Sequence, residues 1–149
     1  MSMQADLYQQ VILDHNKKPR NFGVLEGATH KAEGYNPLCG DHIWVAIKLE
    51  NGTIADIKFE GEGCAICKAS SSMMTTTLKG KSTDEAELLV TEFQKLVKGE
   101  IDPEKDSHSL GRLAIFSNIW KFPARVKCAA LAWHTVRGAM NDKESISTE

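Results

Sequence analysis

The sequence predicts an α+β fold: a small antiparallel sheet of about three strands, with helices packed mainly on one face. Three observations predict it. A helical segment comes first, an alternating stretch follows, and several helical segments come last. The alternating stretch is split by Asn51-Gly52, a pair that accepts positive φ and so joins antiparallel strands. Strands and later helices are segregated, unlike the regular alternation of βαβ units.

Taken in order, residues 3 to 16 form the first helix. Leu7 pairs with Val11 and Tyr8 with Ile12 along one side, and Pro19 stops the helix. "NFGVLEGA" is a loop, and "THKAEGY" supplies a third strand. The hairpin is "HIWVAIKLENGTIADIKFEG". Ile43, Val45, Ile47 and Leu49 alternate on its first arm, and Ile54, Ile57 and Phe59 on its second, with one slip that implies a bulge. A helix starts near Cys64 and ends at Gly80. Ser82 to Glu85 is a capping box that opens a helix to about Lys98. "GEIDPEKDSHS" is a polar loop, and "LGRLAIFSNIW" is a further helix. Pro123 sits in the first turn of the last helix, which runs to about Met140 with Val126, Ala129, Ala130 and Trp133 available as its apolar face.

A chain of 149 residues is expected to be one domain, 1–149, ending in a mobile polar tail from about 141. The net charge of −2 argues against a nucleic-acid partner. No window approaches the ~18 consecutive apolar residues of a membrane span. The first twenty residues lack a signal-peptide apolar region, so the expected location is cytoplasmic. Four cysteines in a reducing compartment are then thiols or metal ligands rather than disulfides.

Those cysteines are Cys39, Cys64, Cys67 and Cys128. Cys39 lies in "NPLCGDH" just before the hairpin, with Asp41 two positions on. Cys64 follows the hairpin. The two ends of an antiparallel hairpin meet, so Cys39, Asp41 and Cys64 converge, and Cys128 in the last helix can close the group. Three thiols and a carboxylate suit a tetrahedral zinc or an iron–sulfur ligand set. A helix start at Cys64, together with Arg125 and Lys127 beside Cys128, favours thiolates. Plainer readings stand beside this one. A buried cysteine is often a small apolar filler, and Cys64 with Cys67 has the spacing of a dithiol redox pair. A hairpin rather than a βαβ strand precedes that pair, which argues against the redox reading. The five histidines show no paired ligand spacing, and Ser70 to Ser72 read as a close-packed helix face rather than a nucleophile.

Together, "VILDHNKKPRNFG", "NPLCGD", "GEGCAICKASSSMM" and "FPARVKCAALAW" resemble the IscU/SufU family of iron–sulfur cluster assembly proteins over almost the whole chain. The insertion around "GEIDPEKDSHSLGR" and the sequence "PARVKC" resemble the SufU branch. Lys127 stands where the IscU branch typically carries a histidine before its third cysteine, which removes one usual cluster ligand. The resemblance implies an IscU/SufU-like fold with zinc held by Cys39, Asp41, Cys64 and Cys128, Cys39 as sulfur acceptor and Arg125 as a positioning residue. It implies a cysteine desulfurase of the SufS type as sulfur donor and an iron–sulfur assembly complex as recipient. The protein would then be a sulfurtransferase-like carrier that stimulates its partner rather than a stand-alone enzyme. Asp41 is the weakest ligand for a soft metal and is the one expected to yield during transfer. Three alternatives remain at this stage: a scaffold for a [2Fe–2S] cluster or iron, a CxxC dithiol oxidoreductase, and a structural zinc adaptor. Cys67 is a spare ligand, a second acceptor or a packed bystander, and Lys127 is a possible extra site residue.

Overall fold

The computed structural model describes residues 3–142 and 145–147. Helix α1 (Met3–Lys17) is followed by strands β1 (His30–Asn36), β2 (Asp41–Glu50) and β3 (Thr53–Glu62). Helices α2 (Ala65–Leu78) and α3 (Thr83–Val97) come next, then a 3-10 segment (Gly111–Lys121), helix α4 (Pro123–Met140) and strand β4 (Ser145–Ser147).

The hairpin forms where the turn chemistry requires it. Asn51 and Gly52 take φ of 53° and 75°, and β2 and β3 pair antiparallel around them. The slip in the apolar pattern is a bulge. Lys48 faces Asp56 and Leu49 faces Ile54, so Ala55 is the extra residue. It lets Ile54 and Ile57, three apart, both reach the core at 0% exposure.

The sheet runs β3-β2-β1-β4. It holds four strands rather than about three, and it is mixed rather than wholly antiparallel. The addition is β4, parallel to β1, drawn from the tail expected from about 141. Ile146 is the one apolar residue of that strand. It lies half-buried in a cleft shared with Val126 and Ala130 of α4, which gives this polar stretch a place to dock. Residues 143–144 and 148–149 lie outside the described residues.

The helices cover one face of the sheet. Ala32, Gly34 and Asn36 of β1 and Asp41, Ile43, Val45 and Ile47 of β2 point toward them. Helix α4 is the hub, buried continuously from Cys128 to Val136 apart from His134. It approaches β1 closely because Gly34 has no side chain; a Cβ there would collide with Thr135 Oγ1 and press on Leu131. Trp133 stacks on Phe93 at 4.3 Å, and its Nε1 donates to Ser70 Oγ at 3.0 Å. Ser70 donates in turn to the Ala129 carbonyl, so this first serine of the run is a polar seam of the α2–α4 contact. Ser72 accepts from the Arg20 N–H and bonds to His15 Nδ1, fixing α1 to α2.

Segment 111–121 is helical as expected, but of the 3-10 type. Leu110, Leu113, Phe116 and Ile119 recur every third residue, and all are buried. Three residues per turn places them in one row. The capping box at Ser82 and Glu85 has both of its hydrogen bonds.

Candidate metal centre

The site grows from one strand register. Asn36 ends β1 and Asp41 begins β2, and the two are paired across the hairpin. The four residues between them form the turn that carries Cys39, with Gly40 at φ 72°. Both Asn36 and Asp41 face the helices and are fully buried, whereas Cys39 is exposed. Strand β3 ends beside them, and Gly63 leads into Cys64 at the start of α2. Cys128 arrives from the second turn of α4 and is 3% exposed.

Cys39 Sγ, a carboxylate oxygen of Asp41 and Cys128 Sγ all lie within 4.8 Å of one another. Cys128 Sγ donates to Cys39 Sγ at 3.2 Å. Zinc–sulfur bonds of about 2.3 Å set tetrahedral sulfurs roughly 3.8 Å apart, so a small outward shift of two soft donors would admit an ion. Two thiols and one carboxylate also match that metal's usual donor types. The residues present therefore fit a zinc ion.

Cys64 is the fourth expected ligand. It lies outside the group just named but is tied to it twice: its N–H donates to Asp41 Oδ1 at 2.8 Å, and its thiol meets that of Cys128. The Cys64 backbone is extended, with ψ of 167°, and its Sγ accepts from the Cys67 N–H at 3.4 Å. The thiol is thus the N-cap of α2, where a negative charge is favoured. The Cys128 thiol and the Cys67 N–H bring Cys64 down to about 7, against burial and the Asp41 carboxylate. Cys128 moves the other way, held above the ordinary thiol range first by Cys64 and then by burial. The pair is unequal: Cys64 gives up its proton more readily than an ordinary thiol and Cys128 less readily.

Asp41 is anchored at both oxygens. Oδ1 accepts from the Cys64 N–H, and Oδ2 accepts from Asn36 Nδ2 at 3.1 Å. The same Asn36 amide donates to Cys128 Sγ at 3.7 Å. Gly63 keeps this pocket tight, since a Cβ there would stand 2.9 Å from Asp41 Oδ1 and 3.2 Å from Cys67 Sγ. Sequence reasoning missed Asn36 and Gly63 as members of the site. Both lie inside or beside the quoted motifs, but only the register reveals that they touch the donors.

Cys67 and Lys127 are not brought into the group. Cys67 is 0% exposed among core residues, and burial raises its thiol well above the ordinary range, followed by Asp41 and Cys64. Such a thiol is a poor nucleophile, so of the two Cys64 is the readier to react. Lys127 is exposed and lines a separate cleft with Trp120, Ala130 and His134. Arg125 is exposed on the first turn of α4, its guanidinium 4.5 Å from the centre of the Phe122 ring. No helix among the described residues is long and apolar enough to cross a membrane.

The chain is similar to several known proteins. A family profile described as "NifU-like N terminal domain" matches residues 7–129. The chain is 43% identical over 148 residues to the zinc-dependent sulfurtransferase SufU of Bacillus subtilis (strain 168), covering 97% of this chain and 98% of that one. It is 40% identical over 140 residues to the iron–sulfur cluster assembly scaffold protein IscU of Streptococcus pyogenes serotype M1, covering 94% and 86%. The solved structure of FiSufU from Fervidobacterium islandicum AW-1 superposes with a TM-score of 0.82 at 32% identity, covering 91% of this chain and 97% of that chain.

Proposed function

The chain belongs to the NifU-like N-terminal domain family, the IscU and SufU group of iron–sulfur cluster assembly proteins, and from that premise we propose that it is a zinc-bound sulfur acceptor. It takes sulfur from the persulfide of a cysteine desulfurase of the SufS type and passes it to an iron–sulfur assembly complex, in the cytoplasm, as a single-domain carrier that stimulates its partner. Zinc is held by Cys39, Asp41, Cys64 and Cys128. Bound there, it keeps thiols deprotonated at neutral pH.

The observation that carries the reading is an exposed thiol at the rim of a buried donor set: Cys39 is exposed, while Asp41 and Cys128 behind it are buried. Cys39 is the most accessible of these thiols to a donor persulfide, with Cys64 half-buried behind it. The Cys39 thiolate attacks the terminal sulfur of the partner's neutral persulfide. A bond forms between Cys39 Sγ and that sulfur, the partner's S–S bond breaks, and its electron pair leaves on the partner's cysteine thiolate. The transferred sulfur, with its proton, stays on Cys39. No external oxidant or reductant is needed.

Cys39 must leave the donor set to do this, and its tether is lighter than that of Asp41. Cys39 has one sulfur contact on an exposed glycine turn, while Asp41 accepts two hydrogen bonds in a buried register position. The lighter tether makes Cys39, rather than Asp41, the ligand that yields. Arg125, exposed beside Phe122 at the start of α4, positions the incoming persulfide.

The test is metal quantitation with a desulfurase assay, with and without chelator. One zinc per chain, colourless protein and stimulation lost on chelation are expected. A coloured protein holding iron and sulfide after anaerobic purification would replace this reading with the scaffold named for the Streptococcus pyogenes relative. Lys127, exposed and outside the donor group, weighs toward the acceptor reading.

A further inference from the structure

The side chain of Asn36 is fully buried at the end of β1. Its Nδ2 donates in two directions, to Asp41 Oδ2 at 3.1 Å and to Cys128 Sγ at 3.7 Å. Its own Oδ1 is buried with no hydrogen-bond partner among the described residues. An amide inside a protein normally satisfies both ends, and an orphaned carbonyl is a cost that needs an explanation. Turning the amide over would place Oδ1 against the Asp41 carboxylate, two acceptors face to face, and would withdraw both donors from the site. The orientation therefore serves Asp41 and Cys128 at the expense of the asparagine.

These two partners are the buried half of the proposed donor set. They come from β2 and α4, and Asn36 lies 92 positions from Cys128 in the chain. One side chain links them. The exposed member, Cys39, receives no hydrogen bond from it. Resting on the zinc reading above, we infer that Asn36 is a positioning residue for the metal. It holds Asp41 and Cys128 at ligand spacing and, through its N–H to sulfur bond, lowers the electron-donor level of the Cys128 thiolate. It thereby makes the buried ligands rigid while Cys39 stays free to move. A role confined to closing the hairpin would require neither the contact with Cys128 nor the sacrifice of Oδ1.

The test uses cobalt(II) as a spectroscopic substitute for zinc in the full-length protein, compared with Asn36→Leu, which keeps the volume and removes the amide. Zinc affinity is read by chelator competition and folding by circular dichroism. The expected result is a folded variant that binds zinc about 10- to 100-fold more weakly, in line with the loss of an outer-shell partner. Its thiolate-to-cobalt absorption bands shift to longer wavelength, because the thiolate loses a hydrogen bond. Cys67→Ser, outside the donor group, should leave the bands unchanged. If Asn36→Leu fails to fold, Asn36→Ala provides the same two readouts. Unchanged affinity overturns the inference, and so does weaker binding with unmoved bands, which would assign the loss to packing. Absence of thiolate-to-cobalt bands in the unsubstituted protein would reject the metal-centre reading itself, a failure distinct from that of the variants.

Discussion

The turn that carries Cys39 and the helix that carries Cys128 meet at 3.2 Å but are built in opposite ways. The turn is four residues with a positive-φ glycine and an exposed Leu38, 64% accessible. The helix is locked between sheet, α2 and α3, with Trp133 and Val136 at 0% exposure. A sulfur on the turn can move without disturbing the core, and a sulfur on the helix cannot. Under the proposed function the contrast divides labour: the helix side fixes geometry, and the turn side would do the chemistry that needs reach.

The sharpest way to break this contrast is Cys39→Ala. We expect the protein to stay folded while sulfur acceptance from a desulfurase falls to the level without added protein, read as persulfide on the purified chain. A Cys39→Ala protein that still accepts sulfur would erase the distinction between the two sides. Next in size is Trp133→Ala on the helix side, which removes a fully buried indole stacked on Phe93 and should destabilise the fold by about 3–5 kcal/mol in denaturant unfolding. Gly34→Ala follows. A methyl group forced against Thr135 and Leu131 should cost about 1–3 kcal/mol and lift α4 from β1. Leu38→Ala on the turn should change stability by no more than about 0.5 kcal/mol. If Leu38→Ala proved as damaging as Gly34→Ala, the turn would be part of the core after all.

A pH scan supplies the smallest effect. Burial, then Arg20, hold His15 below the ordinary imidazole value, and Ser72 bonds its Nδ1. The unfolded chain therefore takes up a proton before the folded one does. The His15 contribution is fully present above about pH 6.5 and is lost as pH falls through the lower folded value. The His15 part of the melting temperature should be level from pH 8 to 7 and decline below about 6.5, separable in the His15 variant from the Cys64 part, which changes above pH 7. His15→Gln should flatten part of that decline, the rest belonging to His134, which burial lowers in the same direction.

Much of this was legible in the sequence because it rests on local chemistry. Asn51-Gly52 sets the hairpin, Ser82 with Glu85 sets the cap of α3, and the uneven spacing of Ile54 and Ile57 marks the bulge. The convergence of Cys39, Asp41 and Cys64 follows from hairpin geometry alone. What escaped depends on neighbours far along the chain. Cys67 is three residues from Cys64, which suggests a shared helix face, but Cys64 is the extended cap rather than a helical residue. Its side chain turns toward the site, while Cys67 turns into the core. The spacing rule fails because one of its two members is outside the helix. Asn36 gains its role only when Asp41 stands across from it and α4 delivers Cys128. Strand β4 was hidden for a similar reason, since a polar tripeptide carries no strand signal until Ile146 has a cleft to enter.

That short parallel strand also gives the sheet a finished border. Glu33, Gly34 and Tyr35 would otherwise offer an open row of amides and carbonyls, directly ahead of the turn that carries Cys39. A sheet margin left bare is a template for another molecule's backbone. By occupying it, residues 145–147 steer encounters between copies away from strand-to-strand zipping.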